Sequence, residues 1–284
     1  METYLECIPC FIRQALEAVR MVTSDSAKQE AVLRRTLQLA SEMDMGESPP
    51  KMGQRIHAII KEITGNPDPY KEVKQRCNQF ALELYPGLKR KVERSPDPFQ
   101  VAVRFSIAGN LIDFAPGSVP SEEQIKATVQ ECLNQSIDLS SVEALKKEAE
   151  SANSILYLGD NAGEIVLDRL LVEQLPTEKV TLAVRGAPII NDATLEDAIA
   201  SGITELVDVM DNGSDMPGTI LESCPDAFRK LFAQADIVIA KGQGNYETLS
   251  DADGHIFFLL KAKCPVIAKD IGCEVGDLVI VERR

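Results

Sequence analysis

From about Ser151 onward, short apolar runs alternate with stretches of helical spacing, and each run ends in a cluster of Gly, Asn, Asp or Lys. No other feature restricts the fold as much, because strand–helix repeats build a parallel sheet with helices packed on it. The expected strands are 154–157, 180–184, 205–210, 236–240 and 256–260, and the first is followed by an amphipathic helix over 165–175. Behind them come Leu158-Gly159-Asp160-Asn161-Ala162-Gly163-Glu164, then 185–194, Asp211-Asn212-Gly213, 241–247 and Lys261. If the strands are parallel, all five clusters gather along the carboxyl edge of the sheet, where open α/β folds bind ligands. One polar turn is ordinary, but five at equivalent ends mark a site.

The first half carries helical periodicity without convincing strands. Leu5, Ile8, Ile12, Ala15, Leu16 and Val19 keep helical spacing, as do Leu33, Leu37 and Ala40, and then Val73, Cys77, Phe80, Ala81 and Leu84. Asp97-Pro98 has the form of a helix cap with proline at the first helical position. The pattern changes near the charged helix 141–150, so the expected organisation is a helical domain over 1–150 and an α/β domain over 151–284 with a mostly parallel sheet.

A chain of 284 residues is long enough for a full core, in one domain or two. Its 44 acids against 30 Lys plus Arg give a net charge of −14, which argues against a nucleic-acid partner. No apolar run is long enough to cross a bilayer, and Met1-Glu2-Thr3-Tyr4 lacks the basic and apolar regions of a signal peptide, so no membrane partner is expected. The seven cysteines suit a reducing cytosol better than a disulfide framework, and the expected location is cytoplasmic. No feature fixes an oligomeric state.

Several residue types here carry chemistry. Asp160 with Asn161 offers two oxygen ligands of the kind a hard cation takes, or alternatively a helix cap in a polar turn. Lys241 and Lys261 can present point charges to phosphate, although Lys241 can equally pair with a structural carboxylate. Gly242 and Gly244 allow backbone to approach a ligand closely. Cys7-Ile8-Pro9-Cys10 straddles an expected helix start, where the dipole favours thiolates. That pair admits three readings: buried thiols, redox chemistry, or a metal site that Cys264 joins only if the N-terminal helix folds over the sheet edge. His57 and His255 stand apart, which argues against a histidine-rich zinc centre.

Taken together, 159–164, 188–194, 241–247 and 260–265 resemble the metal-dependent damage-control phosphatases, once described as a domain of unknown function with an acidic-residue-methyltransferase-like fold. The Cys7/Cys10 pair and Ala108-Gly109-Asn110-Leu111-Ile112-Asp113 resemble the prokaryotic CxxC-bearing branch. The resemblance implies a helical N-terminal domain joined to a Rossmann-like, three-layer α/β domain, with the site between them. It implies a divalent ion (manganese, magnesium, nickel or cobalt) and small phosphorylated metabolites, such as sugar phosphates or damaged phosphometabolites. By that match Asp160, Asn161 and Asp192 are metal ligands and the catalytic centre. Glu164, Gly244, Asn245, Tyr246, Glu247 and Lys261 match substrate-contacting positions; Asn191 and, as a point charge, Lys241 are expected contacts beside them, with Asn110 and Asp113 as cleft-wall members or, alternatively, a helix-end cap. Here Glu164 follows Gly163 directly, where some relatives insert a residue.

Two other readings compete. A carboxyl methyltransferase using S-adenosylmethionine would place its cofactor on the turn Gly159 to Gly163, but the full glycine fingerprint is absent and Arg185-Gly186 stands where an acid is expected after the second strand. A non-catalytic metal-binding protein is the third.

Overall fold

The computed structural model describes residues 1–109 and 122–284. Helices occupy the first half: α1 (Cys7–Val22), α2 (Ser26–Glu42), α3 (Pro49–Thr64), α4 (Lys71–Glu93), α5 (Pro98–Ala108), α6 (Glu122–Asn134) and α7 (Leu139–Ser151). Their starts follow the chemistry of the sequence. Asp97 accepts a hydrogen bond from the Gln100 amide (3.1 Å) with Pro98 behind it, and Asp25 and Asp138 cap α2 and α7 the same way. Leu5 and Leu37 keep helical spacing yet lie exposed, Leu5 because the chain has not yet entered α1.

The second half runs β1 (Ile155–Leu158), α8 (Glu164–Val172), β2 (Val180–Val184), α9 (Leu195–Ser201), β3 (Asp208–Asp211), α10 (Asp226–Gln234), β4 (Ile237–Lys241), α11 (Gly242–Leu249), β5 (Ile256–Lys261), α12 (Pro265–Ile271) and β6 (Leu278–Arg283). The sheet order is β3-β2-β1-β4-β5-β6, parallel throughout except for β6, which pairs antiparallel along β5. This is the expected mixed α/β fold with a mostly parallel sheet. Two details differ. The third strand begins at Asp208 because Ile203–Glu205 form a 3₁₀ turn, and β6 adds an edge the alternation did not announce.

Strand parity sorts the core into layers. Ile155, Tyr157, Ile237, Ile239, Phe257 and Leu259 face α4, α5, α7 and α8, whereas Leu156, Leu158, Val238, Ala240, Phe258 and Leu260 face α10, α11 and α12. The strands covered on both faces are apolar along nearly their whole length, as parallel strands require, with Thr181 and the terminal Lys241 and Lys261 as the polar exceptions. A separate cluster holds α1, α2 and α3 together. No helix among the described residues is long and apolar enough to cross a membrane.

The helical layer lies over the carboxyl edge of the sheet and is tied to its loops. Lys61 of α3 donates to the Pro188 carbonyl (2.6 Å), and Asn78 of α4 accepts from the Gly163 amide (2.6 Å) while donating to Asp197 (2.8 Å). Lys74 bonds the same Asp197 at 3.2 Å.

In α3 itself, burial and then the Lys61 charge lower the His57 pKa to about 4, so the imidazole is neutral at pH 7. A depressed histidine contributes stability that is present above its unfolded pKa of about 6.5 and is lost as pH falls toward the folded value. The expected loss between pH 6.5 and 4 is roughly 3 kcal/mol from this residue. Urea unfolding at both ends of that window should show a smaller acid-induced loss in His57→Leu than in wild type. Equal losses would remove His57 as the cause.

Candidate active site

The strand order reverses between β1 and β4, the position where doubly wound sheets open a ligand crevice. Asp160 and Asn161 leave β1 on one side of it, and Lys241 and Gly242 leave β4 on the other. The second loop is laid directly against the first. Ala162 N donates to Asn191 O (2.9 Å), Ala193 N donates to Asp160 O (2.8 Å), and Asn161 and Asp192 form an isolated bridge. Backbone pairing therefore brings Asp160, Asn161 and Asp192 together from two sequence-distant turns.

All three are buried, as is Glu164 at the start of α8. The Asn161 amide donates to Asp160 Oδ2 (2.8 Å) and Glu164 Oε2 (3.2 Å), so its Oδ1 is the atom left for a ligand. Gly242 has φ 78, and a Cβ there would overlap the Asp160 carboxylate. The space expected to admit a ligand to the backbone is thus filled by Asp160 itself. Burial, followed by the Glu164 and Asp192 charges, pushes the Asp160 carboxyl well up, against the opposing pull of Arg185 and Lys263. Burial also raises Asp192, with Arg185 working against it.

Two buried cations serve these acids. Arg185, which stands where a dinucleotide fold would want an acid, donates through Nε to Asp192 Oδ2 (2.7 Å) and reaches Thr219 and Asn245 at 3.5 Å. Lys241 ends β4 with the parity of Ile237 and Ile239, which turns it inward toward α5 and α8. Its three donor positions go to Ser106 O (2.8 Å), Glu164 Oε1 (2.7 Å) and Asp168 Oδ1 (2.6 Å). Burial works to lower the Lys241 pKa, but Asp168 and Glu164 outweigh it and hold it above its ordinary value. Asp168 Oδ1 also accepts from Tyr157 (2.8 Å) and Ser106 (2.9 Å), while its Oδ2 is buried without a partner. The alternative pairing of Lys241 with a structural carboxylate is the one the fold adopts.

Other expected contacts lie away from the acids. Asn245 spends its amide on Lys241 O (2.7 Å) and Gly159 O (3.3 Å), and its Oδ1 accepts from Thr219 (2.7 Å), so it ties α11 to the first loop. Gly244 packs on Gly218. Tyr246 faces the opposite layer, where its hydroxyl donates to Asp270 (2.7 Å). Glu247 accepts from Gln243 (2.8 Å), and burial pushes its carboxyl up to about 7. Lys261 is half-buried at the end of β5. The exposed cation whose charge acts on Asp160 is Lys263, two residues farther on, which the sequence reading passed over. Asn110 and Asp113 lie outside the described residues, although Gly109 brings the end of α5 against Glu164.

Among the described residues no three His, Cys, Asp or Glu side chains converge at metal-holding spacing, so the expected ligand set counts the Asn161 amide as its third member. Charge supports the fit. Asp160, Glu164, Asp168 and Asp192 are buried beside Lys241 and Arg185, so acids outnumber bases here, and burial with the neighbouring acids raises the Asp160 carboxyl; a divalent cation would take the place of protons on this cluster.

The N-terminal segment does fold over α11: the Met1 amine donates to Glu247 O (3.0 Å) and pairs with Asp251 (3.0 Å). That brings Cys7 within electrostatic range of Glu247, Cys264 and Cys10, but burial pushes its thiol up rather than toward thiolate, opposite to the helix-dipole expectation. His255 pairs with Glu282 (2.8 Å) on the far side of the sheet.

A family model, the damage-control phosphatase ARMT1-like domain, matches residues 3–279. The chain belongs to that family. Its relatives include a damage-control phosphatase of Archaeoglobus fulgidus, 38% identical over 96% of each chain. Another, from Pyrococcus horikoshii, is 35% identical over 100% of this chain and 99% of that one. An uncharacterized protein of Methanocaldococcus jannaschii is 38% identical over 98% of this chain and 94% of its own. The crystal structure of a DUF89 family protein from Pyrococcus horikoshii superposes with a TM-score of 0.90 at 33% identity, with all of both chains covered. The family's fold is therefore the one described above.

Proposed function

We propose that this chain is a divalent-metal-dependent phosphatase of small phosphomonoesters, sugar phosphates or damaged phosphometabolites, working in the cytoplasm. The observation that carries the reading is the buried cluster at the β1/β4 switch point, in which acids outnumber bases, with the charge of the exposed Lys263 acting on Asp160. Membership of a phosphatase family supports the same chemistry. A manganese, magnesium, nickel or cobalt ion held by Asp160, Asn161 and Asp192 would supply Lewis acidity toward a phosphoryl oxygen and toward water.

The protein's own residues divide the remaining work. Phosphoryl transfer needs little covalent help and much positioning of charge. Lys263, whose charge acts on Asp160, is the cation offered to the phosphoryl oxygens. Arg185 holds Asp192 in place from behind, and Lys241 fixes Glu164, which in turn orients the Asn161 amide. That leaves the acids preorganised before substrate arrives.

Phosphate release from p-nitrophenyl phosphate and from a panel of phosphometabolites should appear with added manganese, magnesium, nickel or cobalt and vanish on chelation with EDTA. The expected suppression is at least 100-fold, restored by adding the metal back. Undiminished turnover in EDTA by metal-free protein would overturn the metal assignment, and no turnover with any metal would overturn the phosphatase.

A further inference from the structure

Beside the acidic loops lies a cavity of about 760 Å³, walled by α1, α3, α4 and the turn at Ile190-Asn191. That volume falls in the range of small-metabolite pockets, roughly 300–1,000 Å³. Its walls adjoin the acidic loops directly. Asn191 accepts from the Ala162 amide, and Cys77 packs so tightly on Gly163 that a Cβ at Gly163 would stand 2.9 Å from Cys77 Cβ.

Three observations set this cavity apart from an ordinary gap between helices. Along α1, Gln14, Glu17 and Arg20 recur at every third position, so they share one face and all border the cavity. Each is exposed, and none has a hydrogen-bond or ion-pair partner among the described residues. Next, His57 borders the cavity from α3 while buried to 3% exposure, and its Nδ1 has no partner. Buried nitrogens without partners are rare, and each calls for an explanation. Finally, Ile190 has φ 44, the one positive φ among the described residues other than glycine. A β-branched side chain in the left-handed region is strained and persists only where its surroundings hold it, as they often do beside binding sites. Here it turns Asn191 to the cavity wall one residue ahead of Asp192.

A solvated helix face is the ordinary explanation for Gln14, Glu17 and Arg20. It leaves the buried His57 nitrogen and the strained Ile190 on the opposite walls unexplained. Hydrogen-bonding character narrows the occupant. Arg20 only donates, Glu17 only accepts, and Gln14 does both, which suits hydroxyl groups that also do both. Glu17, in a chain of net charge −14, disfavours a second anionic group.

We propose that this cavity is the specificity pocket for the alcohol part of the substrate, with Gln14, Glu17 and Arg20 reading its hydroxyls and His57 closing its floor. The assignment rests on the phosphatase reading for the place of the phosphoryl group. Calorimetry in manganese, with phosphonate analogues of tetrose, pentose and hexose phosphates and with methylphosphonate, tests it without turnover. At least one sugar analogue should bind tenfold or more tighter than methylphosphonate. Arg20→Met and Gln14→Leu, both at exposed positions, should each erase most of that difference, and His57→Phe should reduce it. The proposal is overturned if no sugar analogue outbinds methylphosphonate. It is equally overturned if the α1 variants weaken both ligand classes in proportion, or neither. Turnover of the phosphometabolite panel by the wild type, followed separately, tests the phosphatase reading: turnover without the binding contrast leaves that reading standing and removes the pocket.

Discussion

Asp160→Asn and Asp192→Asn, each made alone, are expected to yield folded protein whose metal-supported phosphate release is slower by roughly three orders of magnitude, ~4 kcal/mol of barrier or more. The amide keeps shape and an oxygen but removes the charge a hard cation needs. Asparagine is preferable to alanine at Asp192 because Arg185 donates to that side chain at 2.7 Å and would otherwise be left buried and unpaired. At Asp160 the change relieves crowding, since burial, Glu164 and Asp192 already push that carboxyl up. Asp208→Ala, exposed at the start of the edge strand β3, should stay near wild type. Circular dichroism checks the fold, metal content after dialysis checks the ligand role, and phosphate release checks the chemistry. Wild-type rates in soluble forms of both Asn variants would place the catalytic centre elsewhere.

The second large effect is on stability. Lys241→Met leaves Glu164 and Asp168 buried without their cation, and breaking a buried pair in this way typically costs about 3–5 kcal/mol. Urea denaturation should show a loss of that size. Adding Asp168→Asn to the Lys241→Met background should recover part of it, because one stranded charge is gone while Ser106 and Tyr157 still find an acceptor. A single variant within 1 kcal/mol of wild type would mean the acids neutralise themselves by protonation and the lysine is not their support.

The sequence exposed some of this architecture more readily than the rest. Strands β1, β2, β4 and β5 are covered on both faces and so are apolar nearly throughout, Thr181 and the terminal Lys241 and Lys261 excepted, and their position follows from that pattern. β3 sits at an edge, where Asp208 is tolerated, and its start was displaced by a 3₁₀ turn that no local signal marks. β6 has a clear run in Leu278-Val279-Ile280-Val281, but it returns antiparallel without the loop cluster that made the other strands recognisable. In the candidate site, Asp160, Asn161, Glu164 and Asp192 stand out in the sequence because acids and an amide in tight strand–helix turns are unusual locally. Asp168, Ser106 and Tyr157 do not, because their partnership depends on three elements meeting across a layer. Lys241 was within reach of inference: it shares the inward parity of Ile237 and Ile239. Arg185 reads in sequence only as a missing acid, although a buried arginine next to an acidic loop is itself informative.

The Asn78 side chain joins two elements that a modular view would keep apart, accepting from the Gly163 amide while donating to Asp197. With Lys61 on the Pro188 carbonyl, it makes the helical cover part of the scaffold that shapes both acidic turns. Grafting a relative's helices onto this α/β half would therefore transplant more than a new binding surface: unless Asn78 and Lys61 travel with their spacing intact, the chimera inherits a relaxed first turn, with Asp160 and Asn161 released before any ligand is offered.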